Sequence, residues 1–195
     1  MISVHDALAT ILETVSPLAG ERISLLEATG RVLAEDVHSG REVPPFTNSA
    51  MDGYAVRHDD MRHAQADQPV SLAVLEVIQA GAVPTRTVEQ NTASKIMTGA
   101  VLPPGADTVI KVEDTEEGDG QVLVKQSGPR GNNIRLNGED IQRGQVILKQ
   151  GRVLRSADIG LLASVGRGFI LVHQRPRVAI LSTGNELAEV DMPLQ

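Results

Sequence analysis

Apolar residues recur at helical spacing near the start of the chain and at strand spacing over most of the rest. Residues 4–15 carry apolar side chains three and four positions apart, and Ser3 stands at capping distance from Asp6, which predicts one amphipathic helix. Short β-branched runs follow, and residues 70–78 form the longest of them, whereas residues 88–96 fit either a strand or a short helix. The pattern predicts an α+β protein that is mostly β, with an N-terminal helix.

An acidic stretch in the middle of the chain carries a strong turn signal. Asp119-Gly120 lies between residues 107–114 and residues 121–125, which predicts a β-hairpin. The acidic residues 113–119 are interpreted as the solvent-exposed end of this hairpin in preference to a cation site.

The last third of the chain combines a short helix with a long aliphatic run. Ser156 is predicted to cap a helix over residues 157–164, which Gly166 ends. Residues 177–182, Arg-Val-Ala-Ile-Leu-Ser, contain an aliphatic run, which predicts a fully buried strand that opens a new α/β unit. Since a crossover connection needs a dozen or more residues, we expect the chain to end just inside that unit.

Composition excludes several classes of protein. The chain has 195 residues, 41% of them hydrophobic and 22% charged, which predicts a folded protein. A net charge of −7 with two Phe, one Tyr and no Trp argues against nucleic-acid binding. The absence of Cys excludes disulfides and thiolate metal sites, and the five His residues are too scattered for a zinc site. Without an apolar run of membrane-spanning length, we expect a cytoplasmic protein with no membrane partner.

The segment with the most chemical interest is residues 44–56, Pro-Pro-Phe-Thr-Asn-Ser-Ala-Met-Asp-Gly-Tyr-Ala-Val. It holds two of the three aromatic residues beside a lone carboxylate, Asp52. Its prolines, Asn, Ser and Gly predict an ordered loop. Two interpretations stay open from these residues alone: Asp52 accepts hydrogen bonds from the backbone of its own loop, or it takes part in chemistry.

Five motifs, in order along the chain, resemble the molybdopterin molybdenumtransferase family, which includes MoeA and the gephyrin E domain. Together they cover nearly the whole chain and correspond to the N-terminal part of the family only. The motifs are residues 44–56, Ile96-Met-Thr-Gly-Ala-Val-Leu-Pro-Pro-Gly-Ala-Asp-Thr-Val, Val112-Glu-Asp-Thr, Asn133-Ile-Arg with Gly138-Glu-Asp, and Arg175-Pro-Arg-Val-Ala-Ile-Leu-Ser-Thr-Gly-Asn-Glu-Leu.

The resemblance implies an elongated homodimer with four domains in each subunit. In that layout residues 1–43 and 141–173 form a discontinuous first domain of mixed structure, and residues 44–140 form an inserted β-rich second domain. Residues 174–195 begin a truncated α/β domain that binds molybdopterin. The predicted helix at residues 4–15 is a candidate to pack on that third domain.

The activity implied by the resemblance is insertion of molybdate into adenylylated molybdopterin with Mg²⁺ and release of AMP. The molybdopterin adenylyltransferase is a further candidate partner. Because molybdate and phosphate are anions, the three carboxylates of the site are interpreted as Mg²⁺ contacts. The residues carried over are Asp52, Thr98, Asp140 and Glu186 for catalysis, Asp52, Asp140 and Glu186 for Mg²⁺, and Ser49, Gly99, Thr183 and Gly184 for binding the pterin.

Two other functions stay open beside a molybdenum-inserting enzyme. One is a non-catalytic dimerisation or scaffold module of the gephyrin type, since one fold supports both roles. The other is an unrelated Mg²⁺-dependent phosphohydrolase, which would need all its ligands within this chain. We expect this chain alone to be inactive in molybdate insertion, because the family's Gly-Gly-x-Ser motif and the Lys, Arg, Pro and Ser residues of its molybdate site lie farther downstream.

Overall fold

The computed structural model describes residues 2–184, 187–188 and 190–191, and its described part is mostly β, as predicted. None of its helices has the length and apolar character that a bilayer crossing requires. Its helices are α1 Val4–Thr14, α2 His58–Met61 and α3 Ser156–Ser164, with 3₁₀ turns at Leu25–Glu27 and Val112–Asp114. Its strands are β1 Gly20–Ser24, β2 Val37–His38, β3 Asn48–Ser49, β4 Gly53–Val56, β5 Val70–Ile78, β6 Thr92–Ile96, β7 Thr108–Lys111, β8 Thr115–Gly118, β9 Gln121–Val124, β10 Ile134–Arg135, β11 Val146–Leu148 and β12 Phe169–His173.

Six strands form the main sheet, in the order β7-β4-β6-β5-β9-β8. All neighbours are antiparallel except β5 and β6, which are parallel. Although two strands separate β6 from β8, Lys95 of β6 forms an ion pair with Glu117 of β8, so the sheet curls on itself. Apolar residues are buried on both faces of this sheet. The first face includes Tyr54, Val56, Leu72, Val122 and Val124, and the second includes Ala55, Ile78, Ile96 and Val109.

A second core lies among the short sheets β1-β12 and β2-β11. Residues 25–37 and residues 148–172 contribute to it jointly, although the main sheet separates them in sequence. Leu162 of α3 is completely buried in this core. The domain boundaries given by the resemblance stay a prediction.

Helix α1 begins as its sequence indicates. The Ser3 hydroxyl accepts a hydrogen bond from the Asp6 backbone N–H at 3.1 Å and donates one to the Asp6 carboxylate at 2.7 Å. The helix has no buried residue, and its apolar side chains, among them Leu8, Ile11 and Leu12, are exposed. Its packing on a third domain therefore stays a prediction.

Helix α3 starts one residue earlier than predicted. Ser156 is the first helical residue and not the cap, because the Asp158 carboxylate accepts a hydrogen bond from the Arg155 N–H at 2.9 Å and also binds Arg152. The Asp158 carboxylate therefore closes the first turn of the helix, and no serine cap is needed. Gly166, at φ +78°, ends the helix as predicted.

The hairpin is present, but its first arm differs from the prediction. Asp119 and Gly120 both have positive φ and join β8 to β9, so residues 107–114 are not the first arm. Glu116 and Glu117 lie in β8. Glu116 forms an ion pair with Lys125, directly after β9, and Glu117 forms one with Lys95 of β6, which explains why the acidic run is tolerated. In the residues that the structure describes, no three His, Asp or Glu gather as a metal-binding group. Residues 88–96, left open between strand and helix, contain strand β6.

The predicted buried strand at residues 177–182 is not formed in the described part of the chain. Residues 174–184 have no regular structure, and Val178, Ile180 and Leu181 are at least 77% exposed. A parallel strand is stable only between hydrogen-bonded neighbours, and no described strand lies beside this run.

Gly53 of β4 leaves no room for a side chain against β7, and Gly53→Ala is expected to destabilise the fold. A Cβ at this position would lie 1.9 Å from the Ile110 carbonyl oxygen, so one of the strands must shift. Overpacking of this kind costs about 1–3 kcal/mol. The control is Gly118→Ala, in another strand, where a Cβ meets nothing within 4 Å. Denaturant unfolding of both variants checks this, and equal free energies of unfolding would contradict the close approach.

Candidate functional site

The loop that carries Asp52 is held between two other segments of the chain. The Gly99 N–H donates to the Ser49 carbonyl oxygen at 2.8 Å, which joins the loop to the segment after β6. The Ala50 N–H donates to the Asn133 carbonyl oxygen at 2.9 Å, which joins it to the start of β10. Three of the sequence motifs therefore meet at this loop.

Asp52 and Thr98 form a direct pair across 46 residues of sequence. The Asp52 Oδ1 accepts the Thr98 backbone N–H at 2.7 Å and the Thr98 hydroxyl at 2.8 Å. These two bonds, the backbone one first, lower the pKa of the Asp52 carboxyl. The loop's own backbone donates no hydrogen bond to the carboxylate in the described residues, so the first interpretation of Asp52 is not what the structure shows.

The geometry leaves Asp52 charged and open on one side. The residue is exposed, and its Oδ2 has no hydrogen-bond partner among the described residues. Gly99 supports this arrangement, because its φ of +80° turns the chain immediately after Thr98. The pair therefore presents one fixed, anionic oxygen to a ligand.

Ser49 is buried and shapes the same loop. Its hydroxyl donates to the Met51 carbonyl oxygen at 2.6 Å and accepts the Met51 N–H at 3.3 Å. Ser49 as a whole residue is only 1% exposed. Contact of Ser49 with a pterin stays a prediction, and the role visible here is to fix the turn before Asp52.

Asp140 lies on a loop that is fastened to the other end of the Asp52 segment. The Asn137 amide donates to the Pro45 carbonyl oxygen at 2.9 Å. The Asp140 carboxylate forms an ion pair with Arg135, which also binds Glu139 at 2.7 Å. Thus Asp140 belongs to the same set of converging loops, but its charge is already compensated.

Arg135 is a charged group that reasoning from the sequence did not select. It lies in β10, which pairs with β3 directly before the Asp52 turn. Both carboxylates that it binds follow within five residues, so spacing alone indicated a local ion pair. The structure adds that this positive charge stands beside the candidate site.

The remaining candidate residues follow the last strand. Thr183 and Gly184 are exposed and have no regular structure, and the described residues show no hydrogen bond from either to the Asp52 loop. Glu186 lies outside the described residues. The structure therefore brings together Asp52, Thr98, Ser49 and Gly99 and places Asp140 on an adjoining loop.

Thr98→Val is expected to raise the pKa of the Asp52 carboxyl. The substitution removes the hydroxyl donor and keeps the backbone donor, so the pKa rises only part of the way to its ordinary value. An NMR titration of the Asp52 carboxyl carbon measures this. Thr98→Ser, which retains the hydroxyl, is expected to keep the lowered pKa; an unchanged pKa in Thr98→Val would contradict the hydroxyl bond.

Comparison with known proteins decides the family. Residues 2–166 match the family model described as the MoeA N-terminal region (domain I and II). The chain belongs to the MoeA family. The resemblance found in its motifs to the N-terminal part of this family is thereby confirmed.

Curated MoeA relatives are similar over the whole chain. It is 40% identical to a molybdopterin molybdenumtransferase of Nostoc sp., aligned over 100% of this chain and 46% of the relative. It is also 40% identical to molybdopterin molybdenumtransferase 2 of Mycobacterium tuberculosis, over 100% of this chain and 48% of the relative. The chain spans about half the length of the curated relatives it matches.

Solved MoeA structures share the fold. Two crystal structures of the molybdopterin biosynthesis MoeA protein from Pyrococcus horikoshii superpose with a TM-score of 0.83, at 35% and 34% identity. They cover 88% and 100% of this chain, and 46% and 50% of theirs. The mostly β architecture is thus that of the MoeA N-terminal region.

Proposed function

We propose that, in a full-length MoeA-type protein, this chain forms one wall of a site that inserts molybdate into adenylylated molybdopterin with Mg²⁺ and releases AMP. The names of its relatives support molybdenum transfer to molybdopterin as the reaction class. The observation that carries the proposal is the Asp52–Thr98 pair. These two residues come from separate motifs, and two hydrogen bonds join them at an exposed surface.

The residues present fit Mg²⁺ at one position. Asp52 offers a hard, charged oxygen that no described residue uses, and Mg²⁺ commonly takes one or two carboxylates and completes its shell with water and substrate phosphates. Asp140 fits less well, because Arg135 already binds its carboxylate. When bound, Mg²⁺ would supply the positive charge that lets phosphate and molybdate approach Asp52.

The residues of the chain do the positioning. Thr98 lowers the pKa of the Asp52 carboxyl and fixes the direction of its carboxylate through two donors. The free Oδ2 would contact Mg²⁺ directly, or through a water whose hydrogen bond it accepts. Arg135 binds the carboxylates of Glu139 and Asp140 and so fixes their positions on the adjoining loop.

The same proposal covers the wider setting. It includes a homodimer, delivery of the adenylylated pterin by the molybdopterin adenylyltransferase, and a cytoplasmic location. Thr183, Gly184 and Glu186 would belong to the opposite, pterin-binding wall. The proposal for these partners rests on the resemblance to the family.

The isolated 195-residue chain is expected to release no AMP from adenylylated molybdopterin when molybdate and Mg²⁺ are added. The basic residue beside this wall, Arg135, is already paired with Glu139 and Asp140, so the anionic substrate is expected to bind too weakly for turnover. A full-length relative assayed in parallel is the control. Molybdate-dependent AMP release by the isolated chain at the full-length rate would show that the second wall is unnecessary.

A scaffold module is the second candidate, and the exposed apolar face of α1 favours it. Specific binding of an extended or helical partner peptide to α1, together with a full-length protein that inserts no molybdate, would support that function. The phosphohydrolase interpretation needs a complete set of metal ligands, and the described residues hold no such set.

A further inference from the structure

Three dipeptides of the chain have the composition in which a side chain reacts most readily with its own backbone. They are Asp52-Gly53, Asp119-Gly120 and Asn137-Gly138. In each of them the glycine nitrogen can attack the side-chain carbonyl carbon of the preceding residue, because glycine has no side chain to hinder the approach and its backbone rotates freely. The first and the last lie on loops of the candidate site, and the second forms the hairpin end.

The reaction is a spontaneous cyclisation that consumes no cofactor. At an Asp-Gly pair a bond forms between the glycine nitrogen and the side-chain carboxyl carbon, while the carboxyl loses its O–H and the nitrogen loses its proton, together one water. Water then adds to either carbonyl of the succinimide ring and reopens it to aspartate or to isoaspartate. In isoaspartate the main chain runs through the side-chain carbon, and the α-carboxylate is free.

The fold holds Asp52-Gly53 at both reacting groups. Gly53 is buried in β4 and pairs with Ile96 on one side and with Lys111 on the other, so its backbone is not free to rotate toward the carboxyl. The carboxylate accepts two hydrogen bonds from Thr98. Since ring closure uses the protonated carboxyl, the lowered pKa of Asp52 opposes it further.

Asn137-Gly138 is held in a similar way. Gly138 is buried, and its N–H donates to the Pro44 carbonyl oxygen at 2.9 Å. The Asn137 side-chain amide donates to the Pro45 carbonyl oxygen at 2.9 Å. Both groups that would react are therefore engaged, and deamidation must first break these two hydrogen bonds.

Asp119-Gly120 is open by comparison. Both residues are exposed. The Val74 N–H donates to the Gly120 carbonyl oxygen at 2.9 Å, but no described residue accepts the Gly120 N–H. The two lysines that bind β8 pair with its glutamates, and the Asp119 carboxylate has no partner in the described part of the chain. The nucleophile and the carboxyl are thus both free.

We propose that Asp119-Gly120 is an isoaspartate-forming site, and that the fold protects Asp52 and Asn137 from the same chemistry. The additional main-chain carbon lengthens a two-residue turn, so it disturbs the pairing of Gly118 with Gln121. The inference is independent of the proposed function, because the reaction uses no ligand of the candidate site.

The test is peptide mapping of the folded 195-residue chain after long incubation below its melting temperature. Trypsin places the three dipeptides in separate peptides, residues 42–57, 112–125 and 136–143. An isoaspartyl methyltransferase, which transfers a methyl group from S-adenosylmethionine to the free α-carboxylate, measures isoaspartate in each. We expect residues 112–125 to accumulate it at least about fivefold faster than either other peptide, since hydrogen bonds must break first at Asp52 and Asn137.

The same incubation in guanidinium chloride separates the effect of the fold from that of the sequence. In the denatured chain the two Asp-Gly peptides are expected to react at rates within about twofold of each other, because the hydrogen bonds that distinguish them are gone. Asp119→Gly, which keeps a residue suited to positive φ and removes the carboxyl, is expected to abolish the signal of residues 112–125.

Thr98→Val tests the protection of Asp52. Loss of the hydroxyl donor is expected to raise isoaspartate formation at Asp52 by about twofold or more and to leave Asp119 unchanged. The melting temperatures of both variants show that they are folded during the incubation. An unchanged rate at Asp52 would remove Thr98 from the protection.

Three results would overturn the inference. They are equal rates for residues 42–57 and 112–125 in the folded chain, no isoaspartate in residues 112–125 of the folded chain while the denatured chain forms it, and an undiminished signal in Asp119→Gly. The second would show that the turn itself is rigid enough to block ring closure. None of these results alters the rate of molybdenum insertion, by which the proposed function is judged.

Discussion

A full-length MoeA-type protein with Asp52→Asn is expected to insert molybdenum about 100-fold more slowly, the usual cost of losing one charge-stabilising group. Asparagine has the same size and keeps an oxygen that accepts both Thr98 donors, so the loop retains its shape. The negative charge on the open side is what disappears. The initial rate of molybdate-dependent AMP release and the melting temperature measure the two effects separately, and the stability change is expected to stay within about 0.5 kcal/mol.

Asp36→Asn is the matched control for this variant. Asp36 also accepts a backbone N–H, from Gln150 at 2.8 Å, and binds Lys149 at 3.0 Å, and these bonds lower its pKa as well. It lies beside β2, outside the loops of the candidate site. Its loss is expected to leave the insertion rate unchanged. Full activity of Asp52→Asn, or equal slowing by both variants, would remove Asp52 from the site.

Leu162→Ala is expected to destabilise the chain by about 2–5 kcal/mol, as for other fully buried leucines. Leu162 lies on α3 in the second core, with no exposed surface, and packs among residues from both ends of the chain. Its removal leaves a cavity that residues 25–37 and 148–172 can fill only in part. Denaturant unfolding gives the difference in the free energy of unfolding.

Leu26→Ala provides the comparison for the buried leucine. Leu26 is adjacent to the same core but 89% exposed, so its truncation is expected to change the free energy of unfolding by no more than about 0.5 kcal/mol. An unchanged unfolding midpoint in Leu162→Ala would show that α3 does not pack with the face described.

Local signals in the sequence predicted local structure well. The Ser3 cap of α1, the Asp119-Gly120 turn and the end of α3 at Gly166 depend on residues a few positions apart, and each is confirmed. The helix start at α3 was wrong by one residue because Asp158 took the capping role from Ser156. Which of two neighbouring polar side chains caps a helix is difficult to predict from the sequence alone.

Interactions that depend on distant residues were not predictable in this way. The parallel pairing of β5 with β6 and the curl of the sheet come from tertiary packing. The run at 177–182 has strong strand propensity, but propensity does not supply the neighbours that a strand requires.

The candidate site shows the same division. Asp52 was singled out as a lone carboxylate in its loop and Thr98 was selected through the family resemblance, whereas their direct pairing appeared only in the structure.

The most direct test of the central claim, that Asp52 and Thr98 act as one unit in molybdenum insertion, is a double-mutant cycle in the full-length protein. It compares the rate of molybdate-dependent AMP release for Asp52→Asn, Thr98→Val and the double variant. If Thr98 acts only by holding Asp52, the double variant is as slow as Asp52→Asn alone, within about twofold. Losses that multiply in the double variant, or a wild-type rate in Asp52→Asn, would contradict the claim.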